Sequence, residues 1–185
     1  TFNSGQWQVK VMKDRLRVFH KNTKRWQDFP GDFFSLRGKL NFKGKQIEQL
    51  DLFKSKNKRE WVVYLPIDHY LYGVLGSEVP LSWPMNALKA QAIASRTYFL
   101  YKRAQSETHF DVRSDIMDQV FSLKAQYPKK VLQAVNETHG MVLVSEKNNK
   151  IFPAYFHSDC GGHTSTESKV WRKPAALNQA VKDPF

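Results

Sequence analysis

The chain has one cysteine, no long apolar run and a shortage of acidic residues, and each lack removes a class of protein. Cys160 has no second thiol to pair with, so a disulfide-stapled scaffold is excluded and cysteine usage gives no redox compartment. No apolar stretch approaches the ~18 residues of a membrane span, so no transmembrane segment is expected. No charged-then-apolar leader stands at Thr1, and any signal or lipid anchor is expected upstream of it. Internal repeats, low-complexity linkers and nucleic-acid-binding motifs are also missing. Asp and Glu number 17 against 29 Lys and Arg, a net charge of +12, and this imbalance favours an anionic partner. What is present, 185 residues at 41% hydrophobic content, can bury one or two modest cores.

Up to about Tyr64, short runs alternate apolar and polar residues: QWQVKVM, RLRVFHK, FFSLRGKLNF and EWVVYL, with Gly or Asn-Lys turns between them. They read as strands with an aromatic core of Phe2, Trp7, Trp26, Phe29, Phe33, Phe34, Phe42 and Phe53. The basic stretch Leu52 to Glu60 reads as a solvated hairpin loop. A short helix over Ile67 to Gly76 leads to a turn at Glu78. Pro80 and Pro84 bar helix there, and from Met85 to about Ala104 neither Gly nor Pro interrupts a second helix. Met85, Leu88, Ala92, Ser95 and Phe99 share one face of it, and Ala87, Ala90, Ala92 and Ala94 allow close approach by another element. After His109 the pattern predicts strands or turns, a helix from about Pro128 to Thr138 ending at Gly140, and strands at Met141 to Ser145 and Ile151 to Phe156. The fold class is α+β: a β-rich N-terminal part, a central alanine-rich helix, and mixed strands and a helix in the C-terminal half.

Glu78 is the most informative single residue. Val74, Leu75, Val79, Pro80, Leu81 and Trp83 around it offer little to solvate a carboxylate, the setting in which a carboxyl group keeps a proton to donate near neutrality. The alternative is a solvent-facing carboxylate in a turn. Arg96 sits in a small, apolar run, where a charge needs a partner. His157, Cys160 and His163 stand in an H-x2-C-x2-H spacing that zinc could use, the alternative being a metal-free turn with Cys160 as a small buried residue.

Five blocks, YLYGVLGSEVP, ALKAQAIASRTY, DQVF, AVNETHGMVL and AYFHSDCGGHTSTES, occur in this order, and over roughly Lys39 to Phe185 the chain resembles the SpoIID/LytB family of bacterial cell-wall proteins. The resemblance implies a β-rich subdomain at 1–58 followed by a SpoIID-like core at 59–185. Because the family pattern ordinarily continues past Val181 to Pro184, that core is expected to be truncated at its C-terminus. The family implies peptidoglycan glycan strands as substrate, with a preference for strands stripped of peptides. Its sporulation branch implies lytic transglycosylase chemistry that cleaves the MurNAc-GlcNAc β-1,4 bond and leaves 1,6-anhydro ends, with Glu78 as catalytic acid and then base. Arg96, Gln119, Ser158 and Thr164 match family positions and are expected to line the sugar groove. Lys89 joins them as a weaker candidate, and Gly161 and Gly162 would let the sugar approach.

Asp115 and Asp118 are not favoured as a second catalytic carboxylate, because in a transglycosylase the sugar's own 6-hydroxyl replaces water. No cofactor is expected. Zinc at His157, Cys160 and His163 is the open alternative, although Asp118 stands where relatives often carry a fourth Cys or His ligand. The runner-up function is a non-catalytic, wall-binding amidase enhancer, which would have a cell-wall amidase or hydrolase as partner. Nucleic acid is not expected as a partner. The family further implies an exported bacterial protein of the periplasm or cell wall, whose anionic polymers suit the positive charge.

Overall fold

A computed structural model describes residues 7–12, 15–20, 23–42, 44–55, 58–171 and 180–183. The chain divides into two compact units, Thr1–Leu65 and Pro66–Phe185. The division lies beyond the expected 58/59 boundary because the last strand of the first unit, β6 (Lys58–Val63), is hydrogen-bonded to β5 (Lys45–Ser55).

The first unit is all β. Strands β1 (Trp7–Val11), β2 (Arg15–His20) and β3 (Arg25–Pro30) form one antiparallel sheet, and β4 (Phe33–Phe42), β5 and β6 form another. Within each sheet every strand pairs with its sequence neighbour, as expected when tight turns join alternating runs. Period-two alternation sends Leu16 and Val18 of β2 and Leu52 of β5 into the interior, with Phe29, Phe34 and Leu36 packed against them. The centre is thus aliphatic rather than aromatic: Phe33, expected inside, is 53% exposed. Phe2 lies outside the described residues, as does the side chain of Trp7. The register of β4 on β5 shifts between Arg37 and Leu40, where Gly38 takes a φ of +122° that other residues avoid. The basic run Leu52 to Glu60 is mostly paired strand, with Ser55 opposite Lys58, and its tip at 56–57 lies outside the described residues.

The second unit is built on helices α1 (Ile67–Glu78), α2 (Met85–Gln105), α3 (Lys129–Glu137) and the short α4 (Glu167–Trp171). Pro66, Pro84 and Pro128 precede the first three, each in extended conformation, so proline ends the preceding segment where the helix begins. Tyr70, Leu71, Val74 and Leu75 of α1 pack with Leu88, Ala92 and Phe99 of α2 and with Val131, Ala134 and Val135 of α3. The α2 residues are those the helical spacing predicted. The two strands predicted after α3 do not form. Only Val144 and Ile151 make an antiparallel bridge, because a tight turn returns the chain at 145–150 and Pro153 has no N–H for a ladder. The molecule is α+β. Among the described residues no helix is long and apolar enough to cross a membrane.

Candidate active site

Glu78 is the last residue of α1, half-buried, and Val79 beyond it is already extended. The helix therefore runs two residues past Gly76 and carries the carboxylate on a rigid element instead of in a turn. Val74 and Leu75 beneath it are buried, whereas Leu81 and Trp83 in the following loop are 36% and 38% exposed. That loop is fixed from α3: the Lys130 ammonium donates to the carbonyl of Leu81 at 2.8 Å and to that of Trp83.

The segment Asp118 to Ser122 meets α1 along its length. The Val120 N–H donates to Glu78 Oε1 at 2.5 Å, and the Ser122 N–H reaches the Gly73 carbonyl at 3.4 Å. Phe121 lies in the space that a side chain at position 73 would need. A Cβ on Gly73 would fall 2.4 Å from its ring and 2.8 Å from the Ser122 carbonyl oxygen. Phe121 also stacks on Tyr70 at 5.3 Å between centroids. Gly73 thus sets how closely the segment approaches α1, and that approach delivers the Val120 N–H to the carboxylate.

Gln119 anchors the same segment from inside. It is 1% exposed, accepts a hydrogen bond from the Tyr70 hydroxyl at 3.0 Å and donates to the Ser95 carbonyl of α2 at 3.4 Å. As placed it holds the frame of the site and does not face a groove, which corrects the sequence expectation; an amide that bonds well to a sugar bonds equally well to a tyrosine and a carbonyl. Asp118 completes the anchor by accepting from the Lys102 ammonium at 2.7 Å, the Arg113 N–H at 2.8 Å and the Tyr98 hydroxyl at 3.4 Å. Burial, then the charge of Asp118, raises the hydroxyl pKa of Tyr70 and of Tyr98. Burial, then Glu167, pushes that of Tyr155 up to about 12.

Arg96 likewise belongs to the frame. It is 2% exposed and donates to Asp68 of α1 at 3.2 Å, to the Val135 carbonyl of α3 at 3.3 Å and to the Met141 carbonyl at 3.2 Å. The partner its apolar surroundings demanded is Asp68, and its role as placed is to join three segments instead of lining a groove. Lys89 pairs with Glu137 at 2.5 Å, tying α2 to α3, and that bond, with one from Gln133, holds the Glu137 carboxyl below the usual range.

The block around Gly161 is tied to the chain end. Thr164 accepts from the Val181 N–H on its hydroxyl at 2.8 Å, the Thr164 N–H donates to the Val181 carbonyl at 2.9 Å, and the Cys160 thiol donates to Asp183 at 3.2 Å. Ser158 is exposed. Gly161 and Gly162 have φ of +61° and +88°, with nothing among the described residues within 4 Å of the position a Cβ would take. Open space in front of them is compatible with an approaching sugar. Glu78 makes no hydrogen bond to this block among the described residues. The zinc alternative does not fit the arrangement. His163 Nδ1 lies 2.8 Å from the Thr164 carbonyl, the Cys160 thiol is turned to Asp183, and among the described residues no three His, Cys, Asp or Glu side chains gather as a ligand set.

Gly73, Lys130 and the Val120 N–H were missed from sequence. Only Gly73 left a signal there, as a lone glycine inside a helical pattern.

Comparison with known proteins places these features in a family context. The family model described as SpoIID, Stage II sporulation protein, matches residues 55–144, which contain Glu78, Arg96 and Gln119. An uncharacterized protein of Brachyspira hyodysenteriae is 38% identical over 109 residues, covering 58% of this chain and 29% of that protein. Stage II sporulation protein D of Bacillus amyloliquefaciens is 29% identical over 137 residues, covering 65% and 39%. The Amidase enhancer of Bacillus subtilis is 34% identical over 113 residues, covering 61% and 15%. The chain thus spans well under half the length of these relatives.

Proposed function

We propose, from the match of the SpoIID family model to residues 55–144, that the chain is a peptidoglycan lytic transglycosylase with Glu78 as its general acid and base. The observation that carries the reading is the fixed carboxylate at the end of α1, with Oε1 held by the Val120 N–H. Glu78 protonates the oxygen between MurNAc and GlcNAc as the bond to the anomeric carbon breaks. The 6-hydroxyl of the muramic acid then attacks that carbon and gives its proton to the carboxylate, so the 1,6-anhydro product leaves Glu78 protonated for the next cycle. No second carboxylate is needed, because no water is activated. Exposed Trp83 and Leu81 beside Glu78 supply apolar surface for a sugar ring. The same reading makes the protein an exported one that works in the periplasm or cell wall.

A second reading has its own support, since similarity to the Amidase enhancer favours a non-catalytic module that binds the wall and assists an amidase. Incubation with peptide-free glycan strands, followed by mass spectrometry of the ends, separates the two. Anhydro-muramic ends from the native chain, lost in Glu78→Gln with the thermal melt unchanged, are the expected result. Intact strands from the native protein would leave the enhancer reading, and full activity in Glu78→Gln would remove Glu78 from the mechanism.

A further inference from the structure

The positive charge is not shared evenly between the two units. Residues 1–65 carry 15 Lys and Arg against 6 Asp and Glu, a net +9, whereas residues 66–185 carry 14 against 11, a net +3. The larger unit holds the candidate active site and is nearly balanced. Most of the net charge is thus carried by the first unit.

Strand register gathers part of it on one surface. Lys10 of β1 lies opposite Arg17 of β2, Arg17 opposite Asp28 of β3, and Phe19 of β2 opposite Trp26 of β3. Directly opposed residues share a face, and Leu16 and Val18 fill the other, buried face of β2. Lys10, Arg15, Arg17, Phe19 and Trp26 are thus displayed together on the outer face. The Lys10 ammonium lies 4.8 Å and the Arg17 guanidinium 5.6 Å from the centroid of the Trp26 ring, and Phe19 leans on that ring at 5.1 Å. Arg15 and Arg17 both bond Asp28, at 3.3 Å and 2.7 Å. The ring and the carboxylate hold the long cationic side chains in place, which lowers the entropy cost of engaging a ligand.

We propose that this outer face of the β1–β2–β3 sheet is a docking surface for a phosphodiester-linked wall polymer of the teichoic acid type. The chemistry of the surface points to a linear polyanion. Arg15 and Arg17 repeat about 7 Å apart along β2, guanidinium forks match phosphate oxygens, and the face is built of strands, with no helix among its described residues to enter a nucleic-acid groove. The choice of a wall polymer over other polyanions rests on the cell-wall reading above. Docking here would hold the second unit near its glycan.

The test measures binding of the full chain to purified glycerol-phosphate wall polymer, to a DNA duplex and to polymer-free glycan strands, at low and at physiological salt. Lys10→Gln/Arg15→Gln/Arg17→Gln is compared with Lys147→Gln/Lys150→Gln, which removes exposed charge from the second unit. The expected result is salt-sensitive polymer binding that falls about tenfold or more in the sheet variant and less than twofold in the control, with anhydro-end release from polymer-free strands unchanged in both. Lys10→Gln alone, at an exposed side chain whose ammonium lies over the Trp26 ring, gives a several-fold loss and serves where the triple variant does not fold. Equal losses in both sets, no polymer binding at low salt, or tighter binding to DNA than to the polymer would overturn the proposal. If the chain binds polymer but releases no anhydro ends, the transglycosylase reading fails and the docking surface stands; cleavage without polymer binding has the opposite meaning.

Discussion

Glu78 and Gly73 act on the same contact from one helix, the first through its carboxylate and the second by having no side chain. Gly73→Ala puts a methyl group 2.4 Å from the Phe121 ring, so the Asp118 to Ser122 segment must move and the Val120 N–H with it. Overpacking costs about 1–3 kcal/mol, offset in part by roughly 1 kcal/mol of added helix propensity. The expected outcome is a modest drop in melting temperature with a larger drop in cleavage, and partial recovery of both in Gly73→Ala/Phe121→Leu, since the Ser122 carbonyl contact at 2.8 Å remains. Unchanged activity in the single variant would separate Phe121 from the site. At Gly161 and Gly162 the φ values and the empty space ahead of them can be tested apart. Gly162→Val is expected to lose about 1–3 kcal/mol of stability from backbone strain. Gly162→Asn, which tolerates that φ, is expected to keep its melt and still lose cleavage if a sugar passes there. Full activity of the Asn variant would take the sugar path elsewhere.

At the scale of elements, α1, α2 and α3 are joined by polar bonds at the edges of their apolar contact. Arg96 is the main one, since its guanidinium reaches α1, the end of α3 and the Met141 carbonyl from one buried position. Arg96→Met removes three bonds and leaves Asp68 with His139 as its remaining partner. A loss of about 3–5 kcal/mol is expected in urea unfolding, the range for a broken buried ion pair. A loss under about 1 kcal/mol would mean that Asp68 and the two carbonyls find other partners. Lys89→Ala at the partly exposed pair with Glu137 should cost far less. Helices α1 to α3 were readable because proline starts and apolar spacing agree. The strands predicted after α3 failed because β-prone residues at 141–145 and 151–156 have no third strand to pair with among the described residues, and local composition does not report that.

Across the whole molecule, stability at high pH follows from the tyrosines of the second unit. Burial raises the pKa values of Tyr70, Tyr98, Tyr127 and Tyr155 above the model-peptide value, so the folded state favours the neutral phenol. The stabilisation is fully present below the unfolded pKa of about 10 and is lost as pH rises from there toward the folded values. The melting temperature is expected to be flat with respect to these groups below about pH 9 and to fall above about pH 10, steeply enough to be blunted in Tyr70→Phe. A melt independent of pH between 9 and 11 would contradict the burial of these hydroxyls.

The sequence by itself determined the α+β class, the three main helices and the alternation of the N-terminal strands, because each is written in local spacing or proline placement. Tertiary structure decided which polar residues face inward. The family resemblance implies groove roles for Arg96 and Gln119, but burial assigns them to Asp68, Tyr70 and backbone carbonyls far away in sequence. It also revealed the fit of Phe121 over Gly73 and the bond from Val120 to Glu78, since a hydrogen bond spanning 42 residues depends on how helix and loop pack and leaves no periodic trace.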